Sequence, residues 1–118
     1  MASYRIQRTN EDILRELTAL LRELKDPRVT EAMLTVVKTD TDSDCSTCKV
    51  YISSLKGSDA AKAAVAVLKK ASGWLRREVG QRLHLRHAPE LHFIADDSIE
   101  KSAHIAAILK SIEQEGQP

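Results

Sequence analysis

Residues 58–86 read SDAAKAAVAVLKKASGWLRREVGQRLHLR, and this stretch decides the fold. Ala61, Ala64, Val65 and Leu68 recur at helical spacing and predict a helix that opens at Gly57-Ser58-Asp59, with Ser58 or Asp59 as its cap. A stripe made largely of alanine lets such a helix lie close against a sheet. The pattern continues through Trp74, Leu75, Val79 and Leu83, but Ala71-Ser72-Gly73 interrupts it. Glycine inside a helix costs about 1 kcal/mol relative to alanine, so the stretch reads as two short helices joined by a kink or tight break.

On either side of this helix pair the pattern changes to strand. Upstream, Met33 to Thr39 is rich in β-branched residues, and Lys49 to Ser53 alternates, with Val50 and Ile52 on one face and Lys49, Tyr51 and Ser53 on the other. The polar segment Asp40-Thr41-Asp42-Ser43-Asp44 between them predicts a hairpin. Downstream, Pro89 stops the helical region and Leu91 to Ala95 alternates as a third strand. The helix pair is long enough to carry the chain from the second strand to a parallel third by a right-handed crossover. Ile13, Leu14, Leu17, Leu20, Leu21 and Leu24 place an amphipathic helix over Thr9–Leu24, with Thr9 and Asp12 in a capping-box arrangement and Asp26-Pro27 as its stop. Asp97 with Glu100 predicts the cap of a last helix, carried by Ile105, Ile108, Leu109 and Ile112. The expected architecture is therefore α+β, in the order α-β-β-α-α-β, with a three-stranded sheet covered on one face by helices and an additional C-terminal helix. It reads as one domain over 1–118, with a core of about 5–112 and short flexible termini.

Composition narrows the function classes. Of the 118 residues, 42% are hydrophobic and 30% charged, a globular balance. Aromatics are only 3%, so a sheet that stacks several bases on aromatic rings is not expected. No apolar run approaches a membrane span, and the N-terminus lacks the apolar core of a secretory signal. Cys45 and Cys48 do not make a disulfide framework. A cytoplasmic protein is expected. The net charge is only +1, but it is unevenly spread. Lys62 to Arg86 holds seven cations (Lys62, Lys69, Lys70, Arg76, Arg77, Arg82, Arg86) against Glu78 alone, whereas the segment from Asp96 onward holds five acids and two lysines. Such polarisation signals a partner.

The order α-β-β-α-α-β is that of the bacterial-type (type II) KH domain. Leu24-Lys25-Asp26-Pro27-Arg28-Val29, Lys49-Val50-Tyr51-Ile52-Ser53, Ala71-Ser72-Gly73, and Pro89-Glu90-Leu91-His92-Phe93 running into Asp96-Asp97-Ser98-Ile99 stand in one register over about Tyr4 to Leu109. Together they resemble the ribosome-binding factor A family. The resemblance implies a non-catalytic assembly factor of the small (30S) ribosomal subunit. Such a factor binds the 16S rRNA of free or immature subunits, supports maturation of its 5′ end and helps growth in the cold. It also implies an Ala-x-Gly kink, here Ala71-Ser72-Gly73, in place of the GxxG loop by which ordinary KH domains clamp nucleotides; no GxxG occurs in this chain.

The candidate RNA contacts follow. Lys69 and Lys70 precede the kink, where Ser72 and Gly73 would let a phosphodiester backbone approach a helix start with free N–H groups. Arg76, Arg77, Arg82 and Arg86 follow, each with a planar fork suited to phosphate oxygens. Arg5 and Arg8 are candidates for a second contact. The alternative for all of them is a solvated basic face, with cations favoured near helix C-termini. Cys45 and Cys48 form a lone CxxC at a strand start, without the further ligands that zinc requires, and read as two small residues at a hairpin edge. Asp40, Asp42 and Asp44 lack the closing glutamate of a calcium loop. No catalytic motif is present. No enzyme activity, metal, cofactor, membrane or small-molecule substrate is expected, and nothing suggests more than a monomer. The rival reading is a protein-interaction module that docks through the C-terminal helix or through the exposed sheet face around Tyr51.

Overall fold

The computed structural model describes residues 4–96 and 98–115, with 98–103 and 114–115 as backbone alone. The elements are α1 (Tyr4–Leu21), α2 (Pro27–Thr30), β1 (Leu34–Thr41), β2 (Thr47–Ser54), α3 (Ser58–Lys70), α4 (Ser72–Arg82), β3 (Glu90–Ala95) and α5 (Ser98–Glu115). The sheet order is β1-β2-β3. β2 is central, antiparallel to β1 and parallel to β3, in register from Thr47 opposite Glu90 to Ile52 opposite Ala95. This is the α+β, KH-like arrangement with its extra C-terminal helix.

One face of the sheet carries the core. Val36, Cys48, Val50, Ile52, Leu91 and Phe93 from the strands meet Ile13, Leu17 and Leu20 of α1, Leu68 of α3, and Leu75 and Val79 of α4, all buried. Burying each large aliphatic side chain contributes roughly 1.5–3 kcal/mol. α1 is also pinned by polar groups. The Thr39 hydroxyl donates to the Asn10 carbonyl at 2.6 Å, and the Thr41 N–H donates to Asn10 Oδ1 at 2.8 Å. Both threonines point inward because β1 is not regular. Val36 pairs with Ile52 but Lys38 pairs with Tyr51, which leaves Val37 as an extra residue. The bulge shifts the inward phase of the strand from Val36 to Thr39 and Thr41.

Several boundaries differ from expectation. α1 begins at Tyr4, not Thr9, and the Thr9 hydroxyl donates to the Arg5 carbonyl inside the helix at 2.9 Å instead of capping it. α1 also ends early, at Leu21, its last turn tightened by Arg22 and Glu23 N–H groups bonding three residues back. Asp26-Pro27 opens a helix instead of closing one. Asp26 is the N-cap of α2, its carboxylate accepting from the Arg28 N–H at 2.9 Å, with Pro27 in the first helical position. α3 is capped by neither Ser58 nor Asp59. Its N-cap is Gly57 at φ 109°, with no side-chain cap bond, a conformation that requires glycine. The break falls at Ala71 (φ −90°, ψ 4°), whose N–H still bonds the Val67 carbonyl while its own carbonyl starts α4 through the Leu75 N–H. The proposed cap of α5 at Asp97 lies outside the described residues. Ile105, Ile108, Leu109 and Ile112 do form a stripe on α5, but it is exposed and buries nothing.

The acidic turn closes the hairpin. The Asp42 carboxylate accepts from the N–H groups of Ser46 (2.9 Å) and Thr47 (3.2 Å) and from their hydroxyls (3.0 and 2.7 Å). The bonds from Thr47, reinforced by those from Ser46, hold this carboxyl well below the usual carboxylate range. A carboxyl depressed in the folded state contributes stability above its unfolded pKa, and that contribution fades as pH falls below it. Asp42→Ala therefore lowers the melting temperature at neutral pH. The gap to the parent protein narrows progressively below about pH 4, a trend that thermal melts across a pH series check directly.

Candidate nucleic-acid interface

The break between α3 and α4 sits beside the free edge of β3. α3 runs back along the sheet from the end of β2, which brings its C-terminus beside Thr47 and Leu91 near the starts of β2 and β3. A groove of about 570 Å³ runs along this edge. Lys69 and Ser72 at the helix break line it together with Leu91 and Phe93 from the core face of the sheet and Lys49, His92 and Ile94 from the opposite face. Lys49 and His92 are register partners. Sequence reading missed them, although the outward alternation of β2 and β3 marks both. α4 is 11 residues long, and its first turn opens at the lip. A helix start offers unsatisfied N–H groups and partial positive charge to an anion.

The break does not depend on the conformational freedom of Gly73. Gly73 has no positive φ, and a Cβ added there would meet nothing within 4 Å. Nothing inside the protein demands a glycine at this exposed position. Lys69 lines the groove, whereas Lys70 stands nearer α2, where its charge helps to lower the pKa of Asp26, chiefly set by hydrogen bonds from Arg28.

The arginines separate into two groups. Arg82 is occupied by carboxylates: Nη2 lies 2.8 Å from Glu23, Nε 3.5 Å from Glu78 and Nη1 4.0 Å from Glu16. It ties α4 to α1 and to the turn after it, and its charge is already answered. Arg76 Nε donates to the Ala88 carbonyl at 2.9 Å and holds the loop before β3. Arg77 and Arg86, by contrast, line a shared shallow groove at the far end of α4, and Arg86 joins Arg5 in another. Arg8 lies elsewhere on α1, among Tyr4, Gln7, Glu11, Asp12 and Arg15. The ten candidate contacts thus do not form one surface.

The cysteines show no activation. Cys48 is buried in the core and Cys45 sits in the turn at φ 59°, and burial pushes both thiols up. Among the described residues no cluster of His, Cys, Asp and Glu could hold a metal ion, and no helix is long and apolar enough to cross a membrane.

The family model of ribosome-binding factor A matches residues 5–109. The chain belongs to the ribosome-binding factor A family. It is 44% identical to the ribosome-binding factor A of Desulfitobacterium hafniense over 116 residues, 98% of this chain and 91% of that one. The solution structure of a Thermotoga maritima protein superposes with a TM-score of 0.71 at 30% identity, covering 85% of this chain and 94% of that one. A Thermus thermophilus ribosome binding factor A, a homology model fitted into the cryo-EM map of a 30S complex, shares the fold with a TM-score of 0.59 at 23% identity, over 82% and 97% of the two chains. Within this family fold, the groove and the helix break carry the features suited to a phosphate backbone.

Two outcomes follow. Arg82→Ala destabilises the fold slightly, as loss of a partly exposed ion-pair cluster does, and denaturant melts at low and high salt show the loss shrinking as salt rises. Gly73→Ala leaves the fold intact or stabilises it by up to about 1 kcal/mol through helix propensity. If a partner's backbone packs on Gly73, the same change weakens binding, and melting and binding curves on one sample separate the two effects.

Proposed function

We propose that this protein is a small-subunit assembly factor that binds the 16S rRNA of free or immature 30S subunits and assists maturation of the 16S 5′ end without catalysing a reaction. The observation that carries this reading is the basic lip of the break, Lys69 and Ser72 beside the start of α4, facing a groove along an unpaired strand edge. Membership of the family supports it, as does the 30S complex of the Thermus relative. The protein would act in the cytoplasm by holding an rRNA conformation while processing proceeds. Phosphate contacts would supply affinity, and the shape of the RNA would supply specificity.

Co-sedimentation with mature and immature small subunits across a salt series tests this. Binding should favour the small subunit and fall steeply with salt. Lys69→Glu with Lys70→Glu should lower the log–log slope by about one to two, as expected for one or two lost phosphate contacts. Binding insensitive to salt would instead favour a protein partner on the apolar stripe of α5, which is exposed from Ile105 to Ile112.

A further inference from the structure

Two groups of exposed apolar side chains meet at one end of the sheet. β1 begins and β2 ends there, and Met33 and Leu55 flank that end, 56% and 70% exposed. The Leu55 N–H donates to the Met33 carbonyl at 3.4 Å, which ties the two positions together. Met33 stands in the left-handed region at φ 50°, a conformation that costs a side-chain-bearing residue stability. Beside it a groove of about 350 Å³ opens between α1, α2 and β1, lined by Leu21, Val29, Leu34 and Val36 together with Arg22.

β3 finishes at the same end, because it runs parallel to β2 with Ala95 opposite Ile52, and the Asp96 N–H donates to the Ile52 carbonyl at 2.7 Å. Only residues 96 and 97 separate β3 from α5. Ile105, Ile108, Leu109 and Ile112 lie along one face of that helix, each about half exposed, and among the described residues no other element packs against it. The molecule is extended as a result. Its radius of gyration is 17.1 Å and its longest dimension 64 Å, whereas a compact chain of this length has a radius of about 13.5 Å. The two apolar groups lie within reach of each other. Three residues lead from Ala95 to Ser98 and cover up to roughly 10 Å, and Leu55 lies three residues beyond Ile52, the partner of Ala95. The stripe from Ile105 to Ile112 is about 10 Å long, or about two strand spacings, enough to cross from Leu55 over Met33 to the groove beyond β1.

We propose that α5 is a latch, whose stripe of Ile105, Ile108, Leu109 and Ile112 closes on Met33 and Leu55 of the same chain and reaches the groove between α1, α2 and β1. The tether selects this occupant. Two apolar surfaces joined by so short a link meet at an effective concentration on the order of millimolar, which neither a separate protein nor a second copy matches in dilute solution. Charge favours the same docking. Arg22 in the groove has no carboxylate partner among the described residues, and Glu113 follows Ile112 at the end of the stripe. The flexible thioether of Met33 suits an irregular apolar contact. A partner that takes either apolar surface must first open the latch, so its affinity falls with the closed fraction. The latch does not require the RNA reading, since none of these residues lines the groove at the helix break.

Small-angle X-ray scattering on the full chain measures the closure directly. The closed parent should have a radius of gyration of about 14–15 Å, near the compact-chain value and clearly below the 17.1 Å of the open arrangement. Met33→Asp with Leu55→Asp should return it to a value near that of the open arrangement. Both side chains are exposed and lie outside the core, so the amides of β2 should keep their protection from hydrogen exchange. Ile108→Asp with Leu109→Asp, made on the opposing surface, should open the molecule in the same way. Amides of α5 should exchange at least about tenfold more slowly in the parent than in either variant, because closure protects the helix. A parent as extended as the open arrangement, with α5 amides that exchange equally fast in parent and variants, overturns the latch. So does compaction that appears only with a doubled mass at higher concentration, which would assign the stripe to a second copy.

Discussion

The parallel pairing of β2 with β3 is the constraint on which the rest of the structure depends. Antiparallel strands can be joined by a tight turn, as β1 and β2 are, but a parallel neighbour requires a crossover of a dozen residues or more. α3 and α4 are that crossover. Because they start and end at opposite ends of the same sheet, they must lie across one face, and α1 completes the cover. Among the described residues no strand pairs with the β3 edge and no helix packs over the other face. A single uninterrupted helix could not both descend along the sheet and turn back under α1, so the chain breaks at Ala71, and the break comes to rest against the open edge. The groove is thus a product of strand direction before it is a product of any side chain.

Much of this was legible in the sequence because period and composition report directly on burial. The alternation of Val50 and Ile52, the stripe Ala61-Ala64-Val65-Leu68 and the interruption at Ala71-Ser72-Gly73 each reflect a face that must be apolar or a turn that must occur. The misreadings share a cause. Thr9, Asp26 and Ser58 are residue types that can cap a helix, and which of them does so depends on the path of the backbone around them. Gly57 took the capping position of α3 by its left-handed conformation, which no side-chain pattern announces. The stripe Ile105-Ile108-Leu109-Ile112 has the periodicity of a buried face, yet periodicity states only that a face exists, not that this chain covers it.

The candidate site was legible as a set of residues but not as a surface. In one dimension Arg76, Arg77, Arg82 and Arg86 are equivalent cations on one basic segment. In three dimensions Arg82 answers glutamates on two helices and on the turn after α1, and Arg76 spends its Nε on a loop carbonyl, leaving Arg77 and Arg86 without a carboxylate partner among the described residues. A formal charge count cannot make this distinction, because the partners of Arg82 lie as far as 66 residues away in the chain, at Glu16. The backbone of His84 is harder still to foresee: it is left-handed at φ 52°, and nothing in the sequence distinguishes it from the other histidines.

The extra residue in β1 has a consequence for how this chain can tolerate changes in length. Upstream of Val37 the strand presents Val36 to the core; downstream it presents Thr39 and Thr41, and those two threonines carry the tie to Asn10 on α1. Removing a single residue at the bulge would restore a regular strand and turn both threonines to solvent, cutting the tie while leaving β1 itself well paired. Adding a residue to the hairpin beyond Thr41 would disturb neither. Natural variation in length should therefore be absent at position 37 and concentrated in the turn, even though both are exposed and lie only a few residues apart.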